Sequence, residues 1–556
     1  MAEFSWVEYT PQSGIRQDVP EFVPHYSKLV NLRWDSLGWR RDWGSSWRAA
    51  VTTITTERCT NALHAHFTGG GNTLLVAVLA GTTTSLYTFE GATILDEDSA
   101  DLLDEIDDPL IEGDGWTKNA RTLAGTTYPD LLMFADEMMI MNGSEMLRLN
   151  SSDTITTATT APLGSFGTVH ANRLVVAGVS NAKHIFYPSG VRDPSAFTLA
   201  NGVVVTTTRG EELRNLGSLG KLMIAQTDAA TIAYLLSSNN PRDWDRRDVS
   251  SLVGCVGHRA YIEVDRGRGT DSHNYAFFWS HQGPYMLVNS GTAAPFMVDL
   301  WPPVDKWARG IDFKGLTGLS PNTFANFTAI YVPEFDEVRW GSRSAVTVGQ
   351  NDQMVCVNVG SAIRYAQGEL DAPWWRLRTW DGSTTTPTDP PFESMCVVRV
   401  DANNNPANIG RDTSWGFGRS ARELDKPGLY RDSEASDGDT PILFNLTRPG
   451  HASVDVRDGL WQTKIPRRFE LVASIATGSP TVTVVLQRHG GAQASQAQAL
   501  SLLVSGADEG DSHVFREDFG QIEGKIIDLT ISGGTTINSD FHIDGWRIDG
   551  LIEERR

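Results

Sequence analysis

Apolar residues in this chain gather in short runs that come two by two, each pair split by a few polar residues and followed by a longer polar stretch. The clearest unit is Asn172-Arg173-Leu174-Val175-Val176-Ala177-Gly178, then Ile185-Phe186-Tyr187-Pro188-Ser189, then Asp193-Pro194-Ser195-Ala196-Phe197. It predicts a strand, a polar break and a second strand ending in an Asp-Pro turn. An Asp side chain accepts from backbone N–H groups two residues on, and Pro presets φ for the turn. Further strands are predicted over residues 74–79, 85–89, 131–134, 138–141, 222–226, 231–235, 276–279, 285–288, 327–332, 337–340, 354–357 and 396–400. Helix-length segments of period 3.6 are nearly absent, so the pattern predicts an all-β fold. The pairs return roughly every forty to sixty residues, the length of a β-propeller blade, without a WD-like dipeptide to mark each one.

The two ends read differently. Val30, Leu32 and Trp34 alternate with Asn31 and Arg33, Asp35-Ser36-Leu37-Gly38 reads as a turn, and Trp39 resumes the apolar pattern. This predicts an N-terminal extended arm that enters a first hairpin within residues 1–50. The β-propeller is expected over 51–435. Its end is rich in loop-forming residues, as in Thr386-Pro387-Thr388-Asp389-Pro390-Pro391 and Asn403-Asn404-Asn405-Pro406. A smaller C-terminal β domain is expected over 436–556, with strands at 469–473, 481–487, 525–531 and 546–553.

Charge narrows the partners. The 556 residues carry a formal net charge of −21, which argues against clamping nucleic acid or docking on anionic lipid, since both need basic patches. Cys59, Cys255, Cys356 and Cys396 form no CxxC pair and read as buried free thiols of a reducing compartment. Met1-Ala2-Glu3-Phe4 opens no signal peptide, and no apolar stretch approaches a membrane span.

Candidate chemistry is sparse. His64-Ala65-His66 puts two imidazoles on one strand face, without an identifiable third metal ligand. Gly217-Ser218-Leu219-Gly220-Lys221-Leu222 departs from a phosphate loop, with Asn215 in place of the first Gly and Leu222 in place of the Ser/Thr. There is no GxSxG elbow, HExxH helix or dinucleotide fingerprint, and Arg411-Asp412-Thr413-Ser414-Trp415-Gly416 is only a fragment of a sialidase Asp-box. The aromatic clusters Trp374-Trp375, Trp39/Trp43 and Phe277-Phe278-Trp279 read as core before they read as sugar platforms. No catalytic residue, cofactor site or metal site is assigned, and an enzyme is not expected. The densest charge run is Asp96, Glu97, Asp98, Asp101, Asp104, Glu105, Asp107, Asp108, Glu112 and Asp114. It reads as a solvated loop or as an acidic surface facing a channel, and its spacing does not fit an EF-hand.

Taken in order, several segments resemble the β-propeller nozzle proteins of short-tailed bacteriophages, the tail tubular protein B family. Gly14-Ile15-Arg16-Gln17-Asp18-Val19-Pro20 with Asn31-Leu32-Arg33-Trp34-Asp35-Ser36-Leu37-Gly38 is similar to the N-terminal pattern of those proteins, although Leu37 stands where a more polar residue is expected. Leu86-Tyr87-Thr88-Phe89-Glu90-Gly91, Ala171-Asn172-Arg173-Leu174-Val175-Val176-Ala177-Gly178 and Asp193-Pro194 with Phe197 resemble successive blade segments. So do Leu222-Met223-Ile224-Ala225 with Thr231-Ile232-Ala233-Tyr234, Gly254-Cys255-Val256-Gly257, Phe278-Trp279-Ser280-His281-Gln282-Gly283-Pro284-Tyr285 and Tyr331-Val332-Pro333-Glu334-Phe335-Asp336-Glu337-Val338.

The resemblance implies a structural virion protein: a homo-hexameric ring in the tail, assembled in the host bacterial cytoplasm, that extends the DNA-exit channel below portal and adaptor. Implied partners are the adaptor (head-to-tail connector) protein, tail fibres or spikes, and double-stranded DNA in transient passage. An acidic lumen repels DNA and leaves few phosphate traps, so the 96–114 run is expected at the lumen or channel mouth. Two rival readings remain open: a tail-tip or hub propeller of a long-tailed phage, and a glycan-binding or glycan-cleaving tail propeller.

Overall fold

Ala171 and Asn172 both adopt positive φ (54° and 56°) and join paired residues His170 and Arg173. Ala135 and Asp136 (52° and 64°) do the same between Phe134 and Glu137. Two successive left-handed residues match the right-handed twist of the flanking strands, which makes each a tight hairpin between the first and second strands of a sheet. In this computed structural model the described residues are strands within 2–50, then 58–68, 71–80, 82–89, 116–124, 128–265, 274–289, 295–311, 318–319, 327–343, 351, 353–379 and 393–400, and strands with adjoining residues between 411 and 553.

The chain is all-β and is built as a β-propeller with a smaller C-terminal β domain. Seven antiparallel sheets follow one another, with first strands Arg58–His66, Asp130–Phe134, Phe166–His170, Asn215–Leu219, Tyr261–Asp265, Thr328–Val332 and Ser394–Val400. They are called blades 1 to 7 below. Each first strand lies beside the first strand of the next blade, and that of blade 7 lies beside that of blade 1.

The apolar clusters follow the same succession. Leu75, Leu86 and Ile140 join blades 1 and 2, Met139, Met141 and Val176 join 2 and 3, and Phe186, Met223 and Trp244 join 3 and 4. Trp279 and Trp340 belong to a cluster running through blades 4 to 6, with ring centroids 5.4 Å apart. Ile330 and Met395 join 6 and 7, while Cys59, Val76, Cys396 and Trp415 join 7 to 1. Each sheet thus buries both faces against neighbours, which is why its middle strands are almost continuously apolar. Blades 4 and 5 approach so closely that a Cβ on Gly217 would meet the Tyr261 ring at 2.3 Å.

The described N-terminal residues are strands, as expected, but these are shared out among the other sheets. Ser46–Ala50 is the fourth strand of blade 7. Leu32–Trp34 and Trp39–Arg41 form the predicted hairpin, with Trp34 opposite Trp39. Ala2–Tyr9 pairs along Asp540–Glu553, which also pairs with Thr463–Thr477. Lys28–Val30 lies between Trp375–Thr379 of blade 6 and Phe444–His451, and so extends the blade into a nine-stranded sheet. The C-terminal domain is a two-sheet sandwich with Phe469, Leu471, Trp546 and Ile548 on one sheet and Val482, Val484, Leu529 and Ile531 on the other, all buried.

Two local expectations are corrected. Asp193 Oδ1 accepts from Ser195 N (2.9 Å) and Oγ (2.6 Å), as an Asp-Pro turn should, yet Asp193–Phe197 is also the outer strand of blade 3. Pro is tolerated there because an outer strand has an unpaired side. The α-helix Val359–Ala366 follows the third strand of blade 6 and was not anticipated. Asn358 Oδ1 accepts from Ser361 N at 2.8 Å, and Val359, Ser361 and Ala362 are buried.

Candidate functional site: a pocket where the inner strands begin

Asp130, Phe166, Asn215, Tyr261 and Ser394 each open the first strand of a blade, and the residues around these starts converge. His258, just before blade 5, lies with Nε2 3.3 Å from Asp130 Oδ2 of blade 2. Those blades stand three apart in a succession of seven, so the contact reaches across the ring rather than along it. His258 Nδ1 is 2.7 Å from Asn215 Oδ1, and its ring stacks on Phe166 (centroids 5.3 Å apart, 22° between planes). Asp130 Oδ2 also accepts from Gly167 N at 2.9 Å. One imidazole therefore ties together blades 2, 3, 4 and 5.

A second knot lies beside it. Arg259 donates from Nη2 to the Glu393 carbonyl at 2.6 Å, and its guanidinium sits 4.9 Å from the centre of the Tyr128 ring. Tyr128 Oη donates to Glu393 Oε2 at 2.9 Å. Burial pulls the Arg259 guanidinium below its usual range, while Tyr128 and Glu393 oppose that shift. Its Nε and Nη1 are sealed from solvent and have no acceptor.

Between the two knots and the adjoining loops lies a cavity of about 370 Å³, lined chiefly by Tyr128, Asp130, Phe166, Lys183, Arg214 and His258. Lower on the inner strands, Ser218 N donates to Glu263 Oε1, and Ser218 Oγ is 2.9 Å from His170 Nδ1. Solvent reaches Glu263, yet protein crowds it closely enough for burial to push its carboxyl up to about 7. Burial also lowers His170 to about 4.

The structure accounts for most residues singled out from sequence. His64 is buried, accepts from Arg399 N at Nδ1 (3.0 Å), and has the Asn72 amide 3.1 Å from Nε2. Both ring nitrogens are engaged within the fold, and burial, with His66 and Arg399 nearby, takes its pKa to about 3. Among the described residues no cluster of His, Cys, Asp and Glu is arranged to hold a metal. Residues 217–222 are a strand and hairpin in blade 4, with Gly217 pressed on Tyr261. Phe277, Phe278, Trp279, Trp375 and Trp415 are core. Side chains at Trp39 and Trp43 lie outside the described residues. All four cysteines are buried and free.

The acidic run of Asp96, Glu97, Asp98, Asp101, Asp104, Glu105, Asp107 and Asp108 also lies outside the described residues. In sequence it falls between the third and fourth strands of blade 1. Sequence reasoning missed the pocket itself. Its residues come from loops far apart in the chain, and their one shared signal is a polar or aromatic residue just before or at the first position of an inner strand.

No family model and no curated protein matches this chain. Among solved structures it is similar to Hsv2 of Kluyveromyces lactis at 8% identity, over 72% of this chain and 95% of that one, with a TM-score of 0.32. An exo-β-1,3-galactanase from Phanerochaete chrysosporium matches at 8% identity over 83% and 100%, with a TM-score of 0.24. AztD from Citrobacter koseri matches at 8% identity over 57% and 88%, with a TM-score of 0.25. Likeness this slight bears on neither ligand nor activity. Among the described residues no helix is long and apolar enough to cross a membrane, which says nothing of a β-barrel.

Proposed function

We propose that the chain is a structural virion protein of a short phage tail, a nozzle subunit that assembles as a six-fold ring below portal and adaptor. The supporting observation is where the resembling segments fall. Leu86–Phe89 lies in the third strand of blade 1, Arg173–Ala177 is the second strand of blade 3, and Leu222–Gln226 with Thr231–Leu235 is the central pair of blade 4. Phe278 to Tyr285 forms the central hairpin of blade 5, and Tyr331 to Val338 the first hairpin of blade 6. Motif order in the sequence is thus blade order in the fold.

The His258–Asp130 contact crosses the ring of inner strands, so in this reading DNA does not thread the propeller. The exit channel runs between subunits, whose acidic surfaces repel it. Head-to-tail interfaces that close on themselves build such a ring. The test is native mass spectrometry with negative-stain averaging of the purified chain, alone and with its adaptor. Six-fold rings with a central hole are expected. A stable trimer, or a monomer that the adaptor does not recruit, overturns the reading.

A glycan-handling tail propeller is the second reading, favoured by the cavity where the inner strands begin. Its size is that of a small-ligand site, and it combines aromatic walls with a few convergent polar groups.

A further inference from the structure

We propose that the outer edge of blades 3 and 4 is the face by which one copy of the chain packs on the acidic surface of the next in a head-to-tail ring; the inference rests on the ring reading above and names one of the two patches that it requires. Nine large apolar side chains are exposed among the described residues, and six of them, Leu163, Val191, Leu199, Val204, Leu236 and Leu252, fall within residues 163–252. That stretch is blades 3 and 4 with their connections. Single exposed apolar residues are ordinary, whereas a concentration of them marks an interaction surface.

The two blades present a joined edge. Asp193–Phe197 and Val203–Val204 lie outermost in blade 3, and Asp245–Ser250 lies outermost in blade 4. Arg246 Nη1 reaches from the blade 4 strand to Thr206 Oγ1 at 2.7 Å, two residues beyond Val204 in the chain. Arg192 N donates to the Asn172 carbonyl at 2.7 Å, and Arg173 Nη2 donates to the Asn239 carbonyl at 3.1 Å. These bonds bring the turn that carries Val191 toward the loop that carries Leu236.

Charge selects the occupant. Residues 163–252 carry nine Lys and Arg against seven Asp and Glu, a net +2, whereas the remaining residues of the chain sum to −23. Two copies at −21 each repel one another over most of their surface, so a stable contact between them needs a face where that repulsion is reversed. Arg192 and Arg242 are exposed and Arg247 is half-buried, and none of the three has an ion-pair partner among the described residues. They supply cations for carboxylates of the next copy, around apolar side chains that the contact would cover. An apolar, mildly basic face set against an acidic one is heterologous by construction, and its repetition closes into a ring.

The test is native mass spectrometry of the full chain, alone and with its adaptor, on the parent and three variants. One variant is Leu199→Asp with Leu252→Asp, both sites being 65% exposed and so outside the core. The second is Arg192→Glu with Arg242→Glu and Arg247→Glu. The third is a charge-matched control, Arg121→Glu with Arg468→Glu and Arg516→Glu, at exposed sites on blade 1 and the C-terminal sandwich. Both face variants should raise the concentration at which rings half-dissociate by about tenfold or more, with thermal melts unchanged and the control within about threefold of the parent. Rings equally stable in all four proteins overturn the face and spare the ring reading. Equal loss in the control assigns the effect to net charge and overturns the face as well. Rings that persist in the face variants but no longer recruit the adaptor reassign the face to the adaptor. A parent that forms no ring, with or without the adaptor, overturns the ring reading and this inference with it.

Discussion

His258 and Asn215 are joined Nδ1 to Oδ1 at 2.7 Å, and the hydrogen bonds behind Asn215 fix which atom donates. Thr231 Oγ1 donates to the Val253 carbonyl, which can only accept, so it accepts from Gln226 Nε2. Gln226 Oε1 then accepts from Asn215 Nδ2 at 2.7 Å, which leaves Asn215 Oδ1 as the acceptor for an Nδ1 proton on His258. The imidazole is thereby oriented with Nε2 toward Asp130.

Replacing Asn215 by Leu therefore strands the His258 Nδ1 proton and the Gln226 carbonyl inside the fold. A loss of about 1–3 kcal/mol is expected in urea denaturation. An unchanged unfolding midpoint would show that the relay holds nothing in place.

Glu263 gives a pH signature of known sign. Its carboxyl titrates near 7 in the folded chain, above the ordinary carboxylate range, so the folded state binds more protons between those values. Its contribution to stability is present below about pH 4.5 and is lost as pH rises through about 7. Glu263→Gln should be as stable as the parent near pH 5 and more stable at pH 8. Parallel curves at both values would contradict this.

His64 and His170 act in the opposite sense. Burial holds them near 3 and 4, below the ordinary histidine value, so the unfolded chain takes up their protons first. Stability should fall as pH drops from about 6.5 toward 4, and His170→Phe should flatten part of that slope. Thermal melts at pH 7, 6 and 5 measure it.

Glu337 holds two buried arginines. Arg376 Nε and Nη2 reach its two carboxylate oxygens at 2.6 and 2.7 Å, and Arg339 Nε reaches Oε2 at 3.1 Å. Glu337→Leu removes the compensating charge from both and should cost about 3–5 kcal/mol, with Glu337→Gln intermediate. Denaturant midpoints for the two variants decide it.

Neutralising Asp101, Asp104, Asp107 and Asp108 together tests the acidic-run expectation directly. Under the nozzle proposal genome release should slow, because repulsion of DNA falls, while ring assembly is retained. Ejection kinetics identical to the parent would remove the run from the channel.

Short apolar runs bounded by polar turn residues, with almost no segment of period 3.6, were enough to set the strands and their all-β class, since a strand covered on both faces is apolar at successive positions. Even the hairpin of Trp34 and Trp39 was readable, from the turn residues between them. The helix Val359–Ala366 was missed although Asn358 marks its start, because two turns are too short for a periodicity signal. Tertiary structure alone decided that Ser46–Ala50 completes blade 7 and that Ala2–Tyr9 joins the C-terminal sandwich. Strand pairing across hundreds of residues depends on which edges the folded sheets leave open, and no local pattern records that. It also decided the pocket. Tyr128, His258, Arg259 and Glu393 are unremarkable polar residues in the chain, and they become a site only where the starts of the inner strands meet.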